Sequence, residues 1–321
     1  MAIDVVDRWW RPHCTQIMIH PRFPHGSKHF WHPCEHHRLF VDVIVPGLPF
    51  PLRVAQRQNL EGDDTGCAVW RGATVLAARL LKHAAEGRAK RPGRRASVEV
   101  GCGAAAIPSA AAAFLGFDAW ATDTPNLTRD TAACLEAHGT SAGGWRGRAR
   151  AAPLAWGASE AAAFRASHLP PRGADLVLGS EVVYALKATD WRVAGATMDA
   201  LAATMRELLA PDGVCLLVYH PRSDVERMFF EVLVRHRLRL RADSERGIPT
   251  DDLGLSHEQA DGLRLYAIER DDDAPVCSAP APAPAEGSGV ADALAGLRLG
   301  AGPLYVSLPR PPPLPVDDVL D

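Results

Sequence analysis

Apolar residues fall into short compact runs separated by segments with helical spacing. Two extended runs, Leu39 to Val45 and Phe50 to Arg57, flank a Pro-Gly turn and predict a β-hairpin, with enough proline for a sheet edge or a separate ribbon. Val75, Leu76, Leu80 and Leu81 form a stripe that predicts a helix from about Ala73 to Glu86. The segment from Ser97 to Asp123 reads as strand, glycine turn, Ala-rich helix and second strand, with the helix ending at Gly116. Pro125 and Asn126 open another helix, and a Gly/Arg stretch then leads to Trp156 at a strand-to-loop junction. Asp175 to Gly179 is a compact run of the kind a buried parallel strand carries. A helix from about Asp190 to Leu209 follows, with Val193, Met198, Leu201, Met205 and Leu208 as core positions. Pro211 to Gly213 reads as a turn into the strand Val214 to Tyr219. Val225 to His236 predicts a helix, and Leu238 to Leu240 with Leu263 to Ile268 predict a closing antiparallel pair.

This alternation specifies an α/β fold, a largely parallel sheet with helices on both faces. Ligands of such sheets bind beyond the carboxyl ends of the strands. Gly101, Gly103, Asp123, Trp156, Ser180 and Glu181 stand at those ends. The turn Gly101-Cys102-Gly103 lets backbone approach a ligand, and Asp123 at the tip of the next strand can accept hydrogen bonds from ribose hydroxyls. That points to an adenosine-containing cofactor. The motif is only G-x-G, without the third glycine of the dinucleotide fingerprint, so a nicotinamide-dependent oxidoreductase and a turn that merely needs glycine both remain open at this level.

Composition sets the boundaries. The chain has 321 residues, 47% of them hydrophobic, and a formal net charge of −3, which gives no global basic field to draw in nucleic acid. Seven cysteines without paired-motif spacing suggest reduced thiols and a cytoplasmic or nuclear setting. No apolar run approaches the ~20 residues that span a bilayer, and the first residues lack the layout of a signal peptide, so no membrane partner is expected. Residues 1–37 are an irregular arm rich in His, Pro and Trp; His32, Cys34, His36 and His37 are zinc-ligand types, but their spacing fits no familiar finger, so no metal is expected. Residues 38–270 form the folded domain with its hairpin. Residues 271–321 are a Pro/Ala-rich tail expected to be largely disordered, with a proline run suited to a partner that binds polyproline II helices.

Six stretches in sequence order resemble the seven-β-strand, S-adenosylmethionine-dependent protein-lysine methyltransferases of the methyltransferase-like family (methyltransferase family 16). Gly66 to Trp70 is similar to that family's G-x-x-x-W, Glu99 to Gly103 to its E-x-G-x-G, and Asp123 to the acid after its second strand. Leu154 to Gly157 is similar to L-x-W-G, Glu181 to Tyr184 to (D/E)-x-x-Y, and Arg222 to Phe230 to the start of the last large helix. The resemblance covers residues 38 to 270.

It implies a Rossmann-like, seven-stranded, mostly parallel sheet and S-adenosylmethionine as cofactor. Gly101, Cys102 and Gly103 would pass under its methionine part, with Glu99 supporting the turn. Asp123 would hold the ribose hydroxyls, Trp70 would wall the cofactor, Trp156 would pack on the adenine, and Ser180 would line the site. The acceptor implied is a lysine of a protein substrate, with Glu181 guiding the ammonium and Tyr184 hydrogen-bonding it. Two positions depart from the pattern: Glu181 is one methylene longer than the more frequent Asp, and Ala104 to Ala106 stand where a third glycine is common. A methyltransferase fold acting only as a binding module, and an enzyme of the same fold with another acceptor, are the competing readings.

Overall fold

The computed structural model describes residues 39–56, 65–67, 69–85, 95–141, 145–183, 191–221, 224–241, 246–247, 253–254, 260 and 262–273. The N-terminal arm, the tail beyond Asp273, Tyr184 and Arg222 lie outside the described residues. The chain divides into two units, residues 1–275 and 276–321, and all of the structure described belongs to the first.

The expected hairpin is present as β1 (Leu39–Val43) and β2 (Leu52–Gln56), an antiparallel two-stranded sheet of its own. Val43, Val45, Leu52 and Val54 are buried in the same core as helix α1 (Arg71–Ala85), so the ribbon covers one side of the domain. The main sheet comprises β3 (Arg95–Val100), β4 (Phe117–Asp123), β5 (Arg148–Pro153), β6 (Ala174–Ser180), β7 (Leu209–Tyr219), β8 (Leu238–Leu240), β9 (Arg246–Gly247) and β10 (Arg264–Arg270). Its order is β5-β4-β3-β6-β7-β10-β8, with the short β9 added on β10. The first five of these are parallel; β10 runs antiparallel to both β7 and β8. The chain builds outward from β3 to β5, then returns to the other side of β3 with β6. The crevice at that reversal, beyond the ends of β3 and β6, is where an open α/β sheet holds its ligand.

Helices α1, α2 (Ile107–Phe114) and α3 (Pro125–Ser141) cover one face; α4 (Ala158–His168), α5 (Trp191–Leu208) and α6 (Asp224–Arg235) cover the other. Strand residues divide between the faces with period two: Val98 and Val100 join the α4–α6 core, whereas Glu99 points to α2. Ala110 to Ala113 are all buried, and their small side chains let α2 lie close on β3 and β4.

Two elements differ from the sequence expectation, and the strand expected before Trp156 gains its bounds. Helix α4 was not expected because its sequence, ASEAAAFRASH, buries only Ala161 and Phe164. It is held by packing: Phe164 meets Trp120 of β4 edge-to-face at 5.9 Å. Strand β5 occupies the Gly/Arg stretch, where arginines alternate with Ala149 and Ala151 on an edge strand. Pro211 to Gly213 do not form a turn. They lie within the continuous β7, where the register with β6 shifts and a Cβ on Gly213 would come within 2.7 Å of the Ala174 carbonyl. Proline is tolerated in a strand at such an irregularity.

The two faces of α6 provide a stability test. Phe229 is fully buried, whereas Val234 is 60% exposed. Phe229→Ala should cost ~3–5 kcal/mol in denaturant unfolding, and Val234→Ala close to nothing. Equal effects would mean that α6 is not packed as described.

Candidate active site

The site starts from two glycines. Gly101 and Gly103 follow β3 with φ of 66° and 59°, in the left-handed region that other L residues avoid. Space enforces the same choice. A Cβ on Gly101 would sit 2.6 Å from Val182 Cγ1, and one on Gly103 would sit 2.7 Å from the Gly66 carbonyl oxygen. The turn is tied on all sides. Cys102 N–H donates to the Thr122 carbonyl (2.9 Å), Ala104 N–H to the Gly66 carbonyl (2.8 Å), and the Thr131 hydroxyl to the Gly103 carbonyl (2.9 Å). These bonds bring Gly66, before α1, and Thr131, on α3, to the turn.

Two carboxylates flank it in different surroundings. Asp123, at the end of β4, accepts Gly103 N–H at Oδ2 (2.8 Å) and Thr124 N–H at Oδ1 (2.7 Å). Burial raises its carboxyl above the usual aspartate range, and those two backbone bonds pull it back down. Glu99 is buried on β3; its Oε2 accepts both the amide and the hydroxyl of Ser109, at 2.9 and 2.6 Å. Ser109 lies in the first turn of α2, whose preceding residue Ala106 offers no side-chain cap. Glu99 thus satisfies an otherwise orphaned helix N–H from the neighbouring strand. Burial pushes the Glu99 carboxyl up to about 8; the Ser109 bonds oppose this, and the Asp123 charge adds to it. Its Oε1 is buried with no hydrogen-bond partner among the described residues. Burial, then Asp123 and Glu99, push the Cys102 thiol well above its usual range, so it is a neutral group in the turn and not a nucleophile.

The rest of the rim comes from later strands. Leu154 N–H donates to the Asp123 carbonyl (2.9 Å), which fixes the end of β5 beside β4. Two residues on, Trp156 is half-buried, with Cζ2 3.4 Å from the position of a Cβ on Gly101. Gly157 N–H donates to the buried Thr204 hydroxyl on α5 (2.8 Å), which anchors the start of α4. Ser180 ends β6, half-buried, opposite Val218 of β7. Glu181 follows, 7% exposed, with φ of 57°. A non-glycine residue held there costs about 1–3 kcal/mol and points to a site that over-determines it. Trp70 is half-buried, and its carbonyl accepts Ala73 N–H (3.1 Å) at the start of α1.

A model of the lysine methyltransferase family matches residues 52–236, more than half of the chain and the whole of this rim from Gly66 to Glu181. The chain belongs to that family. No curated protein matches the methyltransferase in sequence. Several solved structures are similar to it at low identity. A TehB-like SAM-dependent methyltransferase from Corynebacterium glutamicum shares 18% identity over 63% of this chain and 89% of its own, with a TM-score of 0.40. The mitomycin 7-O-methyltransferase MmcR shares 15% identity over 62% and 54%, with a TM-score of 0.37, so the match spans about half of that enzyme. The glycopeptide N-methyltransferase MtfA complexed with S-adenosylmethionine shares 13% over 60% and 93%, with a TM-score of 0.41.

As a member of that family, the chain takes S-adenosylmethionine as its cofactor. The residues present fit it: a turn whose Cβ positions are filled from behind, an acid at the tip of the second strand, and a buried oxygen of Glu99 without a partner. Each Asp123 oxygen accepts one backbone N–H and retains acceptor capacity for a ribose hydroxyl.

The structure gathers Gly101, Cys102, Gly103, Glu99, Asp123, Trp156, Ser180 and Glu181 on one rim, with Trp70 at the start of the adjoining helix. Sequence reasoning missed the supports: the Gly66 carbonyl, Ser109, Thr131, Val182 and Thr204. Ser109 carried a signal, as the single polar residue of α2. The others act through backbone or contacts distant in sequence.

Glu99 makes stability depend on pH in a definite direction. Between the ordinary value of 4.5 and about 8 it is protonated when folded and ionised when unfolded. Folding takes up a proton there, so this contribution is full below the unfolded value and is lost as pH rises through the folded one. Glu99→Gln, which keeps an acceptor for Ser109, should flatten the fall in Tm between about pH 5 and pH 8. An unchanged slope would place the ionisation elsewhere.

Proposed function

We propose that the methyltransferase modifies the side-chain amine of a lysine in a protein substrate. The observation that carries this reading is the match to the lysine methyltransferase family across the rim, together with an acid held in a strained backbone at the end of β6. Oxygens of Glu181 lie beside the first residues of α1 and the amide of His220 at the end of β7, next to the cofactor crevice. In this reading Glu181 draws in the lysine ammonium, and Tyr184, three residues further on, hydrogen-bonds the amine.

Bound S-adenosylmethionine supplies a methyl group already activated as a sulfonium substituent. What remains for the protein is alignment and exclusion of water, a proximity effect. A free lysine has a pKa near ~10.4 and must lose its proton before attack. Gly101 to Gly103 would hold the methionine end, with Glu99 bracing α2 behind them. Asp123 would orient the ribose, Trp156 would flank the adenine, Trp70 would close the side at α1, and Ser180 would line the site at the end of β6. In this reading the chain works in a reducing compartment, the cytoplasm or nucleus, a setting supported by seven cysteines without paired-motif spacing.

The test is incubation of the purified chain with methyl-labelled S-adenosylmethionine and a cell extract, followed by mapping of the labelled residue. Label is expected on lysine. Tyr184→Ala and Asp123→Ala should each lower incorporation by at least ~10²-fold. Label on another side chain would end the lysine assignment while keeping the methyltransferase. Tight binding of S-adenosylhomocysteine with no label anywhere would favour a binding module.

A further inference from the structure

Glu99 and Glu181 are the two buried carboxylates among the described residues. Glu99 is explained by Ser109; Glu181 has a different support. Its N–H donates to the Val218 carbonyl of β7 (2.7 Å), and its Oε2 accepts His220 N–H (3.3 Å). The remainder of its side chain lies against Gly72 in the first turn of α1. A Cβ on Gly72 would sit 2.9 Å from Glu181 Cγ and 3.0 Å from Oε1.

The Gly72 backbone does not call for glycine. It is helical and outside the left-handed region. Glycine within a helix is less favourable than alanine, because it loses more backbone freedom on folding. The absence of a side chain therefore needs another reason, and the space a Cβ would take is occupied by Glu181. The neighbouring Ala73 and Thr74 are buried without such a conflict.

We propose that Gly72 is a positioning residue for Glu181: the missing Cβ in α1 leaves the space in which the carboxylate is held between the helix start and the His220 amide. The pair therefore sets where the acceptor amine meets its acid. The functional half of this proposal rests on Glu181 handling the acceptor; the geometric half does not.

A four-member cycle on the full chain tests it: wild type, Gly72→Ala, Glu181→Gly and the double variant. Glu181→Gly removes the obstructing Cγ and relieves the positive φ. Gly72→Ala should lower Tm when Glu181 is present, and leave it unchanged or raise it when residue 181 is glycine. In labelled transfer at saturating cofactor, Gly72→Ala should reduce incorporation ~tenfold while affinity for S-adenosylhomocysteine stays within about threefold. Equal effects of Gly72→Ala on Tm in both backgrounds would overturn the positioning role. Strong coupling in Tm with undiminished transfer by Glu181→Gly would leave the positioning intact and end the acceptor role of Glu181.

Discussion

The structure depends on one hydrogen-bonded turn, in which β3 stops, two left-handed glycines reverse the chain, and Asp123 of the neighbouring strand accepts the second glycine's amide. Nearly every other feature of the rim is fitted to this turn. Gly66 presses its carbonyl on it from the α1 side, Thr131 from α3, Val182 from the end of β6, and Trp156 from the β5–α4 connection. A side chain at either glycine would displace one of these neighbours. The cofactor crevice is therefore not a gap between strands but a surface against which four separate segments pack.

The three carboxylates of the rim differ in what surrounds them, and this sets what each can do. Glu99 is dry, bonded by Ser109 and raised to about 8, so it braces the fold near neutrality as a largely neutral acid. Asp123 keeps partial solvent contact and two backbone donors, which suits an acceptor for hydroxyls. Glu181 is buried between α1 and the end of β7 in a backbone conformation that a loose loop would relax out of. One functional group, the carboxylate, thus yields support, orientation and a held acid on one rim through its environment.

Most of this plan was legible in the chain. The hairpin, the unit from Ser97 to Asp123 and the closing antiparallel strands follow from period and turn chemistry, because each buries one well-patterned face. Helix α4 was not legible, since its few apolar residues gain meaning only against Trp120 and α5, and strand β5 was legible only as a strand ending before Trp156, without its bounds. Pro211 to Gly213 carry the signature of a turn, yet they lie inside β7, in the register shift between its pairs with Ala174 and Leu176. At the site, the residues carried by the sequence motifs were visible, and the supports that the fold brings to them by side chain, backbone or empty space were not. The Gly66 carbonyl and the missing Cβ of Gly72 are of the second kind. Tyr184 lies outside the described residues, so its place rests on the motif alone.

The most direct measurement of the central claim is calorimetric titration of S-adenosylhomocysteine into wild-type protein and Gly103→Ala, with thermal unfolding recorded for both. The added methyl would meet the Gly66 carbonyl at 2.7 Å in a backbone region that alanine disfavours. Affinity should fall at least ~tenfold, equivalent to ~1.4 kcal/mol, in a variant that still unfolds cooperatively. Equal affinity in the two proteins would contradict the account, because the cofactor would then be held by something other than this turn.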